Sequence, residues 1–328
     1  MKFLFTFCFS IIFSQVVVAQ QKPYQDEFAH TFSILARDAE TGEMAVGVQS
    51  HWFSVGTAVP WAKSGVGVVA TQSFVSKRYG YEGIELLEKG YTPEKALNHL
   101  LKQDQNKAYR QVAMLNNDGK IAVHTGEKCV ESAGHKIGDN FVVQANMMLN
   151  DEVIERMYDA YKMNLHLPLA ERVMSAMHAA QGTGGDIRGK QSAALVVVSS
   201  EKPKNPWDDR IIDLRVDDHQ NPIKELDRLL NVHRAYEFMN KGDVAMENQN
   251  TEAALDAYGK AEKLLPNNTE MKFWKAVALV NSGDVKKAVP LFERIFSIDK
   301  NWQKLLERLP KADLLNIQPQ ALNYLLEL

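Results

Sequence analysis

Thr31 stands at the head of a short alternating run, residues 31–37, which turns back through Asp38, Glu40, Gly42 and Glu43 into a second run, residues 44–50. Alternation around a polar, glycine-containing connection predicts a β-hairpin. A hydroxyl at the start of a strand becomes a complete nucleophile if the chain is cut just before it. The freed α-amine then lies beside the hydroxyl and can take its proton, so one residue supplies nucleophile and base. Residues 182–192, reading GTGGDIRGKQS, offer a second chemistry. Gly182, Gly184, Gly185 and Gly189 free the backbone to present N–H groups, and Asp186, Arg188, Lys190, Gln191 and Ser192 add charged and hydrogen-bonding heads. Such a loop can bind a carboxylate or phosphate or stabilise an oxyanion. It can equally be a solvated turn between a helix and a strand. It is not a P-loop, because the GxxxxGK[ST] order is absent. Thr71, Gln72 and Ser73 end an apolar run with three polar groups, a way to deliver a hydroxyl or amide to a cleft.

Other reactive residue types carry less. Ser50 and His51 are adjacent, and neighbours along a strand point to opposite faces, so they form no dyad. Cys129 has His124, Glu127 and His135 nearby in sequence, and a Cys/His pair is conceivable, but a small buried thiol and ordinary histidines are the better reading. Asp217, Asp218 and His219 resemble metal ligands but fall between a strand and a helix, where Asp routinely caps and turns the chain. No Cys/His spacing suits zinc. Neither a metal nor a cofactor is expected.

The elements that must position these groups follow from patterning. Residues 64–73 read as a buried strand with glycines that allow close backbone approach. Two helices follow, over 83–89 and 93–102, the first ended by Gly90 and the second capped by Thr92 with Pro93 at its first position. Strands at 110–115 and 120–125 flank the turn residues Asn116, Asn117, Asp118 and Gly119. A strand at 141–147 leads to helices from Asp151 to about Lys162 and over 168–181, then strands at 193–198 and 210–216, and a helix over 223–230. Hairpins make the sheets largely antiparallel, and clustered rather than alternating elements predict an α+β fold.

The ends of the chain differ in kind. Lys2 followed by the apolar residues 3–18 and small residues up to Ala19 reads as a secretory signal peptide cut after Ala19. The run is short for a membrane anchor, and no other run is long enough to span a bilayer. The protein is therefore expected to be secreted or periplasmic, with no membrane span once the signal is gone. Residues 20–30 read as a disordered leader. Cys8 leaves with the signal, so Cys129 has no partner for an internal disulfide. The formal charge of −3 gives no reason to expect nucleic acid as a partner. Beyond about residue 231 the pattern is helical, and Ala254, Tyr258 and Ala261 recur 34 positions on as Ala288, Phe292 and Ile295. Gly242 and Ala276 hold a small position earlier in each unit, and Pro266 closes the first. This is the tetratricopeptide period, with units at 235–268 and 269–302 and a terminal helical cap. The second unit departs from it at Lys272 and Lys300.

Six ordered blocks, HTFSILARDAETGEMAVGVQS, VPWAKSGVGVVATQSFV, YRQVAMLNNDGKIAVHTGEKC, GHKIGDNFVVQANMM, GGDIRGKQSAALVVV and WDDRIIDLRVDDH, resemble the domain of unknown function 1028 family from Thr31 to Leu230. That resemblance implies membership of the N-terminal nucleophile hydrolase superfamily and a four-layer αββα sandwich. It implies Thr31 as nucleophile on an amide carbonyl. Many relatives have Thr as second residue, exposed by methionine removal; here residues 20–30 would precede Thr31 after signal cleavage. Either the bond between His30 and Thr31 is cut, or the domain is catalytically silent, or another hydroxyl such as Ser73 acts. The expectation is a secreted amidohydrolase acting on a small amide or peptide. Thr71, Gln72, Gly184, Gly185, Asp186, Arg188, Gln191 and Ser192 would line its pocket, with Arg37 and Lys63 as charged supports. The alternative is an inactive hydrolase fold that binds a peptide or protein partner through its helical repeats.

Overall fold

The computed structural model describes Phe28–Ala29 and residues 31–328, so the signal-peptide reading of residues 1–19 lies outside the described residues. In chain order the strands and helices begin with β1 (Phe28–Ala29), β2 (Thr31–Arg37), β3 (Met44–Ser50), β4 (Pro60–Lys63) and β5 (Gly67–Phe74). Then come α1 (Lys77–Glu88), α2 (Pro93–Lys102), β6 (Arg110–Asn116), β7 (Ile121–Thr125), β8 (Gly134–Gly138) and β9 (Phe141–Ala145). The first part closes with α3 (Glu152–Met163), α4 (Leu169–Gly182), β10 (Ser192–Val198) and β11 (Ile212–Val216). The second part runs α5 (Pro222–Glu247), α6 (Thr251–Leu264), α7 (Thr269–Asn281), α8 (Val285–Ile298), α9 (Asn301–Arg308) and α10 (Pro319–Leu326).

Two antiparallel sheets face each other. One has the order β11-β10-β3-β2-β9-β8, the other β1-β5-β6-β7 with β4 also on β5. Period-2 alternation sorts the strand residues into layers. Leu35, Val46, Val48, Val142, Ala194 and Val196 of the six-stranded sheet meet Val68, Ala70, Ala113 and Leu115 of the other. The opposite face of the six-stranded sheet, with Phe32, Ile34, Val143 and Leu195, buries Met157 and Tyr161 of α3, Val173 and Met177 of α4, and Leu226 of α5. Val69, Val112 and Met114 on the outer face of the second sheet take Tyr79 of α1 and Leu97 and Leu100 of α2. The fold is therefore an α+β four-layer αββα sandwich followed by an all-α part. The expected elements are present, with α1 opening six residues before its expected start at Gly83, and β4 and β8 added. Thr92 caps α2 as expected, its hydroxyl accepting from Lys95 N–H at 3.3 Å.

One close approach between layers is at Gly47 in the middle of β3. A β-carbon there would stand 2.4 Å from Val173 Cγ1 and 2.7 Å from Met177 Sδ. Met177 can move aside, but the β-branched Val173 cannot turn without leaving its rotamer. Gly47→Ala is accordingly expected to cost about 1–3 kcal/mol through overpacking, read as a lower urea midpoint at unchanged m-value. A midpoint at or above that of the parent would mean that α4 is not held against β3 as described.

The helix expected to stop at Leu230 instead continues to Glu247, 26 residues in all. Its first half buries Ile223, Leu226 and Leu230 against the sandwich, and its second buries Ala235 and Met239 against α6 and α7. Neither Gly nor Pro falls between Ile223 and Lys241 to interrupt it. A side-chain bond from α4 to α5 reinforces the junction, His178 Nε2 lying 2.6 Å from Asp227 Oδ2. That hydrogen bond raises the His178 pKa, burial opposing it more weakly. A raised folded-state pKa means stability that is fully present below the unfolded value of about 6.5 and lost as pH rises through the folded value. Both side chains are nearly half exposed, so the expected effect is small. NMR titration of His178 should show a pKa above that of a free histidine, returning toward it in Asp227→Asn. An unchanged midpoint in that variant would refute the pairing.

The helical part forms two antiparallel pairs, the second half of α5 with α6 and α7 with α8, then α9 and α10. Gly242 admits Tyr258, whose Cε1 would lie 2.3 Å from a β-carbon there. Bonds recur across the repeat period, Asn231 Nδ2–H donating to Leu264 O and Asn281 Nδ2–H to Leu314 O, each spanning 33 positions. Lys272, at the position where the repeat pattern wants a large apolar side chain, is buried and keeps its charge satisfied by donating to Pro266 O.

Candidate active site

Alternation along β2 turns Thr31, Ser33 and Leu35 toward the second sheet, and strand register does the rest. Thr31 is paired with Ser50 on β3, and Ser50 with Ser192 on β10. Three hydroxyl residues thus form a row across three neighbouring strands, each step about 4.8 Å, and all three are fully buried. Ser192 Oγ donates to Trp52 O and accepts from Val55 N–H at 3.1 Å, so its hydroxyl anchors the chain that leaves β3.

Beneath this row lies a cluster of side-chain amides between the sheets. Gln72 Nε2–H donates to Thr31 O at 3.1 Å and to Gln111 Oε1 at 2.7 Å. Ser33 Oγ donates to Gln72 Oε1 at 2.6 Å. Asn146 donates to Thr31 O from its backbone N–H at 3.1 Å and to Gln111 Oε1 from its side chain at 2.9 Å. Gln111 Nε2–H reaches Ala145 O at 2.9 Å, and Gln144 Nε2–H reaches Ser33 Oγ at 3.2 Å. Every member is fully buried, where a hydrogen bond is strong and an unmade one costly. The Thr31 carbonyl is held by donors from both sheets. Its Cα, and with it the directions of its nitrogen and hydroxyl, is thereby fixed, which is the pre-organisation a nucleophile needs.

The 182–192 loop closes this end of the sandwich. Gly184, Gly185 and Gly189 have φ of +120°, +63° and +115°, conformations that side chains with a β-carbon resist. They let the loop fold onto the strand ends: Leu149 N–H donates to Gly185 O at 2.9 Å, Ile187 N–H to Met147 O at 3.2 Å and Gln191 N–H to Ser50 O at 3.0 Å. Asp186 is 2% exposed. Its carboxylate accepts from His51 N–H at 3.2 Å and from Arg188 Nη2 at 2.6 Å. The loop's one buried charge is thus neutralised, and the pair ties the loop to the residue after Ser50.

Thr31, Gln72, Ser73, Gly184, Gly185, Asp186, Arg188, Gln191 and Ser192 therefore meet at one end of the sandwich. Ser73 is fully buried with φ of +71°, the point where β5 breaks its alternation. Thr71 turns the other way, its hydroxyl donating to Ser76 O at 3.2 Å on the α1 side of the sheet. Arg37 and Lys63 do not join the group. Arg37 closes the opposite end of β2, six residues or about 20 Å from Thr31, and donates to Asn117 O at 2.8 Å. Lys63 lies on the surface at the far end of β4, 2.6 Å from Glu88. Cys129 is poorly suited to act as a nucleophile: burial pushes its pKa up, away from the thiolate that reacts. Ser50 stands out in the sequence only beside His51, and Ser33, Gln111, Gln144 and Asn146 have no signal of their own, save that polar residues recur at inward positions of otherwise apolar strands.

β1 adds a last feature. Although residues 20–30 read as a disordered leader, Phe28 and Ala29 pair antiparallel with Phe74 and Ser73 of β5.

Residues 31–226 match the model of a family of unknown function, DUF1028, and residues 245–309 match a tetratricopeptide repeat model. Among solved structures the chain is similar to the crystal structure of a protein from Silicibacter pomeroyi assigned to DUF1028. The two are 32% identical with a TM-score of 0.55, over 61% of this chain and 84% of that one. Comparison with curated proteins gives no match.

Proposed function

The chain belongs to the DUF1028 family and carries tetratricopeptide repeats behind that domain, and from this premise we propose that it is a secreted or periplasmic amide hydrolase of the N-terminal nucleophile type. The observation that carries the reading is the seat of Thr31. It opens a central strand, faces inward, adjoins Ser50, and has its carbonyl clamped by Gln72 and Asn146. Once the bond between His30 and Thr31 is hydrolysed, the α-amine is free to act as base. Thr31 Oγ attacks the substrate carbonyl carbon while its proton passes to that amine. The C–N bond then breaks, and the departing amine takes the proton. Water, deprotonated by the same α-amine, hydrolyses the ester and releases the acid, restoring Thr31. In this reading the 182–192 loop and Gln72 would border the substrate carbonyl once the leader is gone.

Thr31 is fully buried with its leader attached, which suits a precursor. The test is the N-terminal residue and intact mass of the secreted protein. A chain beginning at Thr31 is expected; a stable chain beginning near Gln20, without amidase activity, refutes the reading.

A second reading has its own observation. A cavity of about 430 Å³ opens on the helical part beside Asp243, Glu247, Trp274, Asn281 and Asp313, a surface on which repeats of this kind hold partner proteins. Partner recruitment through this surface is compatible with an active or a silent first domain.

A further inference from the structure

We propose that the edge of β5 at Ser73–Phe74 binds the acyl side of a peptide substrate as an added antiparallel strand, in the place now taken by Phe28–Ala29. This deepens the amide-hydrolase reading and rests on it.

The argument begins with what covers β5. One edge is paired with β6 from Gly67 to Ser73. Along the other edge β4 covers only Gly67 to Ala70, and Val59 O accepts from Thr71 N–H at 3.2 Å. Past that point, among the described residues, the strand that pairs with this edge is β1, Ala29 opposite Ser73 and Phe28 opposite Phe74. The backbone at Ser73 has already left the regular strand, with φ of +71°. Cutting the chain before Thr31 and losing the leader would uncover this stretch of edge, beside the nucleophile.

Connectivity then identifies its occupant. The leader is itself the acyl side of the bond that must be cut, and Ala29 is two residues from Thr31. Any external amide must bring its carbonyl carbon to the same oxygen, within about 3–3.5 Å. Its acyl side must therefore approach along the route the leader now takes. That route is read by main-chain pairing, the mode in which an extended peptide adds a strand to an open sheet edge. The substrate class narrows accordingly to peptides or peptidyl amides with at least three residues before the scissile bond, the second and third of them paired with Ser73 and Phe74 as Ala29 and Phe28 are, and single amino-acid amides are excluded. The same geometry makes the attached leader a competitor of substrate.

The test uses the chain beginning at Thr31 and a synthetic peptide of residues 20–30 ending in a free carboxylate, the product of leader removal and so not itself cleaved. In an antiparallel pair, successive residues alternate between donating N–H to the partner strand and pointing it away. Of two peptides N-methylated at Phe28 or at Ala29, one is expected to bind roughly tenfold or more weakly than the unmodified peptide, and the other about equally. Absence of binding, or equal tolerance of both methyl groups, overturns the proposal. Should the chain beginning at Thr31 not fold, hydrogen exchange on the full chain decides. One of the Phe28 and Ala29 amides should exchange slowly and the other fast, and fast exchange at both overturns it. These readouts need no turnover. An inactive protein that shows the alternation would lose the hydrolase reading and keep the strand site, whereas an active one without it would do the reverse.

Discussion

Thr31→Ala is expected to lower kcat/KM on an amide substrate by at least about 10³-fold, some 4 kcal/mol of transition-state stabilisation, because it removes the oxygen that forms the ester. Thr31→Ser keeps both the oxygen and the α-amine and should retain measurable activity. The loss cannot be assigned to unfolding. Truncation removes one methyl and one hydroxyl at a strand end, about 1–2 kcal/mol at most by the usual worth of such groups. The clamped atom is the carbonyl, which the substitution leaves in place. The same variant separates two routes of maturation. If Thr31 cleaves its own leader, Thr31→Ala stays at the precursor mass. If another protease does so, the variant matures and is merely inactive. Wild-type turnover by Thr31→Ala would mean that the nucleophile is elsewhere, Ser73 being the alternative hydroxyl that the sequence offers.

Much of this arrangement was readable in one dimension because it depends on period and turn chemistry. The β2–β3 hairpin, the glycine-rich approach to β10 and the repeat spacing of Tyr258 and Phe292 are local patterns. What escaped depends on register. Ser50 stands beside Thr31 only because the hairpin pairs residues 31 and 50, and Ser192 joins them only because β10 pairs with β3 and not with β9. Gln111, Gln144 and Asn146 are distant in sequence, and nothing about a Gln in a strand says that another strand's Gln will meet it. Arg37 illustrates the converse. It shares a strand face with Thr31, as expected from alternation, but a face is a line as long as the strand, and seven residues carry Arg37 to its far end. The continuity of α5 was missed for a different reason. The helix changes partners midway, so no single apolar stripe runs its length, and the shift in buried face after Leu230 mimics an end.

The far end of β2 carries the largest expected stability effect. Asp38, in the turn after Arg37, accepts from Glu40 N–H at 2.8 Å and Thr41 N–H at 2.7 Å through one oxygen. Through the other it accepts from Arg172 of α4. The two side chains are 13% and 7% exposed, so the pair is a buried one. The guanidinium also lies 5.8 Å over the Tyr161 ring, and burial lowers the Arg172 pKa. Forming such a pair gains little over an apolar substitute, since both ions lose their hydration, but removing one partner strands the other charge. Asp38→Ala is therefore expected to cost about 3–5 kcal/mol, to which the loss of the turn acceptor adds. Arg172→Met alone leaves Asp38 with its two turn N–H donors and should cost less. Asp38→Asn combined with Arg172→Met keeps the turn acceptor and removes both charges, and should recover most of the loss. Urea unfolding of the parent, Asp38→Asn, Arg172→Met and the double variant closes the cycle. If the two single costs simply add, the charges are not coupled and the link between hairpin and helix lies in packing alone. Coupling would instead tie the strand that begins at Thr31 to the helix that ends at the 182–192 loop, so that the two sides of the candidate site are braced from the opposite end of the sandwich.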